Sequence, residues 1–239
     1  MKNYLTLSAE ELTKPIYRIF SIDYLLELLS TNDLVLVKPK LWDDPFENLI
    51  LKSLIQNDKT KSNSYRDNIF AQCWTQHRET DAMWRIYSPN KDGVKIKSTP
   101  KKLFDSIYNS TSCEKVVGTE TCFIGKVQYI NQSDLIAELE KKPNSLYDTT
   151  GKAMSLLIKR REFRHEREVR LIHIDLTDER NADTKKIQID AFNLFEEITF
   201  DPRLSDLRYK ALKNYIISLG YDGKISKSRL YKVPVIQWP

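Results

Sequence analysis

The segment EREVRLIHIDL, residues Glu166–Leu176, carries the clearest β-strand pattern in the chain. Successive side chains of a strand point to opposite faces, so residues two apart share a face. The segment is therefore predicted to place Glu166, Glu168 and Arg170 on one face, and apolar residues such as Val169 on the other. Two carboxylates and a guanidinium on one strand face are costly unless they are solvated or serve a cleft.

This charged face has two interpretations that the strand pattern leaves open. It is either a surface ladder of ion pairs with Arg164 and Arg167, or a carboxylate aimed at a bound ligand and held in place by its neighbour. Exposed ion pairs contribute little to stability, whereas a carboxylate in a cleft can do chemistry. The second interpretation makes Glu168 and Glu166 candidate catalytic residues.

Outward from this strand, short apolar runs and helical patterns alternate irregularly along the chain. Such an order predicts a mixed α+β fold, with a mixed central sheet and flanking helices, rather than a doubly wound parallel sheet. We expect a single domain over residues 1–239, with Ile16–Phe20 and Glu166–Leu176 both in its sheet. Further strands are predicted at Leu34–Val37, Phe70–Thr75, Gly93–Lys97 and Cys122–Ile130, and longer helices at Ser145–Phe163 and Leu204–Leu219.

The composition is that of a soluble globular protein, since 41% of the 239 residues are hydrophobic and 30% are charged. Three cysteines in no regular spacing argue against a disulfide framework, and the six glycines form neither a G-x-G-x-x-G motif nor a P-loop. No apolar run reaches the roughly 18 residues of a membrane span, and the N-terminal residues lack the apolar core of a signal peptide. We therefore expect a cytoplasmic protein without a membrane partner.

The net charge of +5 is distributed unevenly. Residues 151–239 hold 18 Lys and Arg against 13 Asp and Glu, whereas residues 1–150 hold 20 of each kind. A local basic face beside an active site suits a polyanion or a dinucleotide, and the alternative is a solvated strand edge blunted by charge. The first interpretation makes Arg164, Arg167 and Arg170 candidate substrate-binding residues.

Two further features point to a ligand. Arg18 lies in the middle of a strand predicted to be central, where a guanidinium needs an anion, either a carboxylate of the protein or a phosphate of a ligand. Trp74, Trp84 and Tyr87 lie within 14 residues of sequence. This aromatic density suits a stacking pocket for a base or a nicotinamide, and it also suits an ordinary core.

Metal and nucleophile chemistry have weaker support. Cys73 and His77 are spaced C-x-x-x-H, without the four regularly spaced ligands that a closed zinc site needs, so no metal is expected. The chain has no G-x-S-x-G elbow, and no third group is visible to orient Cys73 and His77 as a catalytic dyad. Buried or idle thiols are the simpler interpretation.

Several short blocks, in order along residues 17–231, resemble a bacterial family catalogued only as a domain of unknown function. They are Tyr17-Arg18-x-Phe20, Asp44-Pro45-Phe46-Glu47, Cys73-Trp74-Thr75, Met83-Trp84-x-x-Tyr87, Glu166-x-Glu168-x-Arg170 and Ser226-x-Ser228-x-Leu230-Tyr231. That family in turn resembles a distant branch of the ADP-ribosyltransferases, of the type found in toxins that modify DNA or RNA. The resemblance implies an ADP-ribosyltransferase-like fold, with NAD as substrate and no metal.

The resemblance also implies roles for single residues. Arg18 stands where that superfamily has a His or Arg that grips NAD, Thr75 where a strand ends in a small hydroxyl residue, and Glu168 where the catalytic Glu lies. Thr75 stands where the family usually has Ser, and Glu166 competes with Glu168 for the catalytic role. The implied cofactor-binding residues are Arg18, Thr75, Trp84 and Tyr87, with Tyr87 stacking on the nicotinamide.

An NAD-consuming ADP-ribosyltransferase is thus the leading hypothesis. A carboxylate can stabilise the oxocarbenium ion that develops as the nicotinamide–ribose bond breaks, and an Arg can hold the pyrophosphate. The resemblance implies a toxin or phage-defence effector that modifies RNA or DNA, with an antitoxin protein as partner. Two alternatives stay open: a metal-dependent nuclease, with Asp44 or Glu47 and Glu168 as cation ligands, and a non-catalytic nucleotide-binding sensor module.

Overall fold

The computed structural model describes residues 3–42, 44, 46–47, 68–110, 119–131, 133–134, 137, 148–176 and 182–234. Its strands are β1 (Tyr4–Leu5), β2 (Ile16–Ser21), β3 (Asp33–Val37), β4 (Ile69–Thr75), β5 (Gly93–Ser98), β6 (Cys122–Lys126), β7 (Gln128–Ile130), β8 (Ile158–Arg160), β9 (Glu168–Ile174), β10 (Thr184–Gln188), β11 (Glu197–Phe200) and β12 (Lys224–Lys227). Its α-helices are α1 (Ile22–Thr31), α2 (Asp81–Tyr87), α3 (Pro100–Tyr108), α4 (Thr149–Ser155), α5 (Ala191–Leu194) and α6 (Asp206–Ser218), and 3₁₀ helices span Glu11–Thr13, Pro39–Leu41 and Arg161–Glu166. In this described part of the chain, no helix is long and apolar enough to cross a membrane.

Ten of the described strands form one mixed sheet, with the order β1-β6-β9-β4-β2-β5-β11-β12. The other two strands of this sheet, β10 and β3, pair with each other, and β3 also joins β4. Strand β2 meets β4 where Tyr17 lies opposite Thr75, and β3 meets β4 where Val37 lies opposite Ala71. One edge of β4 is thus shared by two strands, and a cleft opens between them.

Two hydrophobic cores cover the two faces of the sheet. The larger one contains Phe70, Trp74 and Leu171 together with buried residues of α1, α3, α5 and α6. The smaller one contains Ala71 and Ile172 together with residues of α4 and the turn after it. Consecutive residues of β4 and β9 alternate between the two cores because neighbouring side chains of a strand point to opposite faces. The polar ends of these two strands are held in place by this packing.

The predicted mixed α+β class with a central sheet is confirmed, and β2 lies in the sheet as expected. Strand β9 lies there too, but it begins at Glu168 rather than at Glu166. The helix predicted over Ser145–Phe163 is wrong beyond residue 155, where β8 and a 3₁₀ helix follow instead, and residues 145–147 lie outside the described part. Arg167 then takes a left-handed conformation with a φ of 45°, which separates the 3₁₀ helix from β9. The extent of the domain over residues 1–239 stays a prediction.

Candidate active site

A cavity of about 400 Å³ lies where β2 and β3 diverge along β4. Thr75, at the end of β4, is in register with Glu168 at the start of β9 and with Tyr17 of β2. Directly opposed residues of neighbouring strands share a face, so these three side chains reach the cavity together. The predicted site residues that line it are Arg18, Thr75, Tyr87, Glu166, Glu168 and Arg170.

Arg18 lies at the point where β2 leaves β4. Its Nη1 donates a hydrogen bond to the backbone carbonyl of Cys73 at 2.9 Å. Because neighbouring side chains of a strand alternate, Arg18 points to the same side of β2 as Ile16 and Phe20, opposite Tyr17. It still lines the cavity, because β2 and β3 diverge along β4 and leave the sheet open at this point. No carboxylate of the described residues forms an ion pair with Arg18, and burial lowers the pKa of its guanidinium. The cavity therefore contains a cation that is available to an anionic ligand.

Glu168 is the first residue of β9, and its side chain is 8% exposed. Its Oε2 accepts a hydrogen bond from Arg170 Nε at 2.6 Å, and its Oε1 accepts one from Lys159 Nζ at 2.9 Å. Burial by itself raises the pKa of a carboxyl group, but Arg170, a hydrogen bond with Glu166 and Lys159 hold the pKa of Glu168 well below its ordinary value. Glu168 is therefore an immobilised anion in the cavity.

Arg170 supports Glu168 and has no exposed surface of its own. Its Nη1 donates to the backbone carbonyl of Leu156 at 2.7 Å, and its guanidinium lies 4.4 Å from the centre of the Trp42 ring. Its Nη2 lies 3.0 Å from Glu47 Oε2, and the residue lines the cavity. Arg170 supports Glu168 in this structure, and its role in substrate binding stays a prediction.

Glu166 ends the 3₁₀ helix and accepts a hydrogen bond from Lys159 Nζ at 2.5 Å. The Thr75 hydroxyl donates to the backbone carbonyl of Glu166 at 2.6 Å, which fixes this segment against the end of β4. Burial and the neighbouring Glu168 raise the pKa of Glu166 to about 8, against the opposing effect of Lys159. Of the two neighbouring carboxyl groups, Glu166 is therefore the one that holds a proton more readily, and Glu168 is the one whose ionised form is favoured.

Helix α2 provides an apolar and aromatic wall of the cavity. Thr80 caps its N-terminus by accepting a hydrogen bond from the backbone N–H of Met83 at 3.1 Å. Met83 and Tyr87 line the cavity, and Tyr87 is 43% exposed, so its ring is accessible to a ligand. Trp84 is fully buried, and its indole N–H donates to Glu79 at 2.8 Å. The helix thus separates the two predicted stacking residues, with Tyr87 at the cavity and Trp84 in the core.

A second depression, of about 600 Å³, shares Tyr17 with the cavity. Arg164 and Arg167 line it and are exposed, so the structure brings them together but apart from Arg18 and Glu168. One acidic residue, Glu11, is also in its lining, where it pairs with a lysine. We call this surface the basic depression, after its lining residues Lys14, Arg78, Lys126, Arg164 and Arg167.

Sequence reasoning missed two residues of the site. Lys159 lies on β8 and contacts both Glu166 and Glu168. Lys159 belongs to a run of charged residues, and the sequence of that run does not indicate that Lys159 is buried. Tyr129 lies on β7, and its hydroxyl accepts a hydrogen bond from the backbone N–H of Glu168 at 2.9 Å. The alternating pattern over Cys122–Ile130 predicts a strand that contains Tyr129, but it indicates no contact for the hydroxyl.

Asp44 and Glu47, the candidate cation ligands of the nuclease alternative, form ion pairs within the protein. Asp44 Oδ1 lies 3.0 Å from Arg160 Nη2, and Glu47 contacts Lys159 and Arg170. Within the described residues, no group of three or more His, Cys, Asp and Glu is arranged to hold a metal ion.

A family model described as "Protein of unknown function (DUF2971)" matches residues 83–171. The matched part begins in α2 and ends in β9, so it includes Tyr87, Glu166 and Glu168. This match confirms the predicted resemblance to a family of unknown function. No protein with a curated description matches the chain.

Among solved structures, the chain is similar to DarT from Thermus sp. 2.9. The complex of DarT with ADP-ribosylated ssDNA is 13% identical, with a TM-score of 0.41 over 94% of this chain and 97% of that chain. The complex of DarT with NAD+ is 12% identical, with a TM-score of 0.40, and the complex with carba-NAD+ is 11% identical, with a TM-score of 0.39. Each of these two similarities covers 90% of this chain and 96% of that chain. At such identities and scores, a function has to be argued from the residues of the site.

Proposed function

We propose that this protein is an NAD-dependent ADP-ribosyltransferase. In this proposal the cavity binds NAD, the bond between nicotinamide and ribose is cleaved there, and ADP-ribose is transferred to an acceptor. The observation that carries the proposal is the meeting of an ionised, immobilised Glu168, the cation of Arg18 and the open ring of Tyr87 in one cavity. A volume of about 400 Å³ is within the usual range for sites that bind small ligands.

Each residue type suits one part of the reaction. Arg18 supplies positive charge for the pyrophosphate, and Tyr87 supplies a ring on which nicotinamide stacks. Thr75, which lies between Tyr17 and Glu168 in the sheet, borders the ribose.

Glu168 acts on the charge that develops during cleavage. As the bond between nicotinamide and ribose breaks, its electron pair leaves with nicotinamide, and the ribose becomes an oxocarbenium ion. The fixed anion of Glu168 stabilises that cation, because a preorganised charge needs no rearrangement during the reaction. The acceptor then bonds to the same ribose carbon, and its proton passes to solvent water. Glu166, which contacts the same lysine as Glu168, helps to hold its neighbour in place.

We propose a nucleic acid, RNA or DNA, as the acceptor, because the basic depression adjoins the cavity. Arg78, Arg164 and Arg167 are exposed there, and exposed basic side chains bind the phosphate backbone of nucleic acids. An enzyme that consumes NAD and modifies nucleic acid damages the cell that makes it. We therefore extend the proposal to a cytoplasmic toxin or phage-defence effector that an antitoxin protein restrains.

A metal-dependent nuclease has less support than transfer from NAD. Such an enzyme needs carboxylates that are open to a cation, whereas Glu47 and Glu168 are each held between Lys159 and Arg170. A non-catalytic nucleotide sensor shares the same cavity and differs only in leaving NAD intact.

Nicotinamide release separates the three functions. The protein is incubated with NAD and with RNA or DNA, once in EDTA and once with Mg²⁺ or Mn²⁺, and nicotinamide and nucleic acid fragments are measured. We expect nicotinamide release in EDTA. Binding of NAD without release under any condition identifies a sensor, and nucleic acid cleavage that requires the divalent cation identifies a nuclease.

A further inference from the structure

The segment after β3 contains Asp44 and Glu47 of the D-P-F-E block, and both residues line the cavity. Asp44 anchors the segment through its ion pair with Arg160 at 3.0 Å. The Glu47 side chain is 3% exposed, and a buried carboxylate is costly unless cations surround it. Its Oε1 lies 2.7 Å from Lys159 Nζ, and its Oε2 lies 3.0 Å from Arg170 Nη2. Both oxygens of Glu47 are therefore engaged by the protein itself.

The same two cations hold Glu168. Lys159 Nζ lies 2.9 Å from one oxygen of Glu168, and Arg170 Nε lies 2.6 Å from the other. These contacts close a ring of alternating charge that runs from Glu47 through Lys159, Glu168 and Arg170 back to Glu47. All four side chains are at most 8% exposed, and their charges balance. We call this arrangement the charge ring.

We infer that Glu47 is a positioning residue for Glu168: by closing the charge ring, it holds Lys159 and Arg170 where they fix both oxygens of the Glu168 carboxylate. The inference rests on the proposed function, in which Glu168 faces the oxocarbenium ion. Glu166 also contacts Lys159, at 2.5 Å, but among these carboxyl groups Glu47 and Glu168 alone contact both Lys159 and Arg170. Lys159, Arg170 and Glu166 use three of the roughly four lone-pair sites of the Glu168 carboxylate, so it can still accept a hydrogen bond from a substrate.

Stability alone is a poor reason for such a ring. Removing charged groups from water costs about as much as their attraction returns, so apolar residues of similar volume would serve a core as well. The charge ring instead lies where the smaller hydrophobic core meets the cavity, and one of its members is Glu168. Arg170 is also held by the backbone carbonyl of Leu156 and by the Trp42 ring, so Glu47 contacts a guanidinium that has further fixed partners.

Steady-state nicotinamide release by the full-length Glu47→Gln variant tests the inference. Gln keeps the shape of Glu and removes its charge, so it opens the ring. We expect kcat to fall about 10²-fold, since a displacement of about 1 Å at a catalytic group costs that much. The Kd of NAD, measured by calorimetry, should stay close to that of the wild type. Asp175→Asn is the matched control, because Asp175 is also buried and pairs with Lys185 at 2.6 Å, and its kcat should be unchanged.

The Lys159→Met variant and the double variant with Glu47→Gln show whether the ring acts as a unit. If it does, the double variant loses about as much kcat as the worse single variant, because an opened ring has little more to lose. If the loss of kcat in the double variant equals the product of the losses in the two single variants, the inference is overturned. Should Glu47→Gln fail to fold, comparison of the double variant, which has the wild-type net charge, with Lys159→Met gives the same test.

The outcomes also separate this inference from the proposed function. A wild-type kcat in Glu47→Gln, with an active wild type, overturns the role of Glu47 alone. Absence of nicotinamide release by the wild type overturns the proposed function and the role of Glu47 with it.

Discussion

Arg18 is the residue that we expect to determine the affinity for NAD. Its guanidinium donates one hydrogen bond to the carbonyl of Cys73, so its other donors remain for a pyrophosphate. Arg18→Ala should raise the Kd of NAD about tenfold or more, since a hydrogen bond to a charged group contributes about 1.5–3 kcal/mol. The effect on kcat should be smaller, because a pyrophosphate contact acts in the ground state and the transition state alike.

Calorimetric titration with NAD measures this effect. Arg164→Ala is the control, since Arg164 lies in the basic depression outside the cavity, and its Kd should match that of the wild type. An unchanged Kd in Arg18→Ala would remove Arg18 from the NAD site.

Glu166 makes the stability of the protein depend on pH. Burial and Glu168 raise the pKa of Glu166 in the folded protein to about 8, from an ordinary value of 4.5. Between these pH values the folded state holds a proton that the unfolded state has released. The contribution of Glu166 to the free energy of unfolding is therefore fully present below pH 4.5 and is lost as the pH rises to about 8.

Thermal unfolding of the wild type and Glu166→Gln across this pH range checks the prediction. Gln does not titrate, so the Tm of the wild type should fall relative to that of Glu166→Gln as the pH rises. Parallel pH profiles for the two proteins would show that Glu166 has an ordinary pKa.

At the scale of elements, the segment after β12 holds helix α2 in place. The Ser228 hydroxyl bonds to the carboxylate of Glu79, which also accepts from the indole of Trp84. Ser228→Ala should lower the free energy of unfolding by about 1 kcal/mol, the usual contribution of one hydrogen bond. It should also weaken NAD binding, because α2 carries Tyr87 into the cavity. Urea denaturation and NAD titration measure both effects, with Ser218→Ala on the exposed face of α6 as the control. Equal values for the two variants would exclude this role of Ser228.

The strands that carry the site could be predicted because β2, β4 and β9 are short runs rich in apolar residues. The charged run over residues 159–167 has no apolar periodicity, so neither β8 nor the 3₁₀ helix Arg161–Glu166 could be predicted from it. Glu166 shows the consequence. The pattern placed it on the strand with Glu168, whereas it reaches the same cavity from the 3₁₀ helix, through the left-handed turn at Arg167.

Other features of the site depend on contacts between distant parts of the chain. The divergence of β2 and β3 along β4 sets the cavity, and no local pattern reports which strands pair. Lys159 and Arg170, the partners of Glu47, lie more than a hundred residues later in the chain, so no local pattern indicates these contacts. In the seven-residue helix α2, Trp84 and Tyr87 both suit a stacking role, and packing alone assigns one to the core.

At the scale of the whole molecule, the basic depression brings together basic side chains from both parts of the chain, with Arg164 and Arg167 from the basic last third. Replacing Arg164 and Arg167 together by Glu should weaken nucleic acid binding. It should also reduce the slope of log K against log salt by about 1 for each lost phosphate contact. Filter binding over a series of salt concentrations measures the slope, and NAD affinity should be unchanged. A wild-type slope in the double variant would place the acceptor elsewhere on the protein.

Transfer of ADP-ribose from labelled NAD tests the central claim most directly. Wild type and Glu168→Gln are incubated in EDTA with NAD labelled in its adenylate phosphate, and RNA, DNA and protein are supplied as separate acceptors. We predict label in RNA or DNA with the wild type. The rate should be about 10²–10³-fold lower with Glu168→Gln, since the amide removes the charge that stabilises the oxocarbenium ion. Equal rates for the two proteins, or no transfer and no nicotinamide release by the wild type with any acceptor, would contradict the claim.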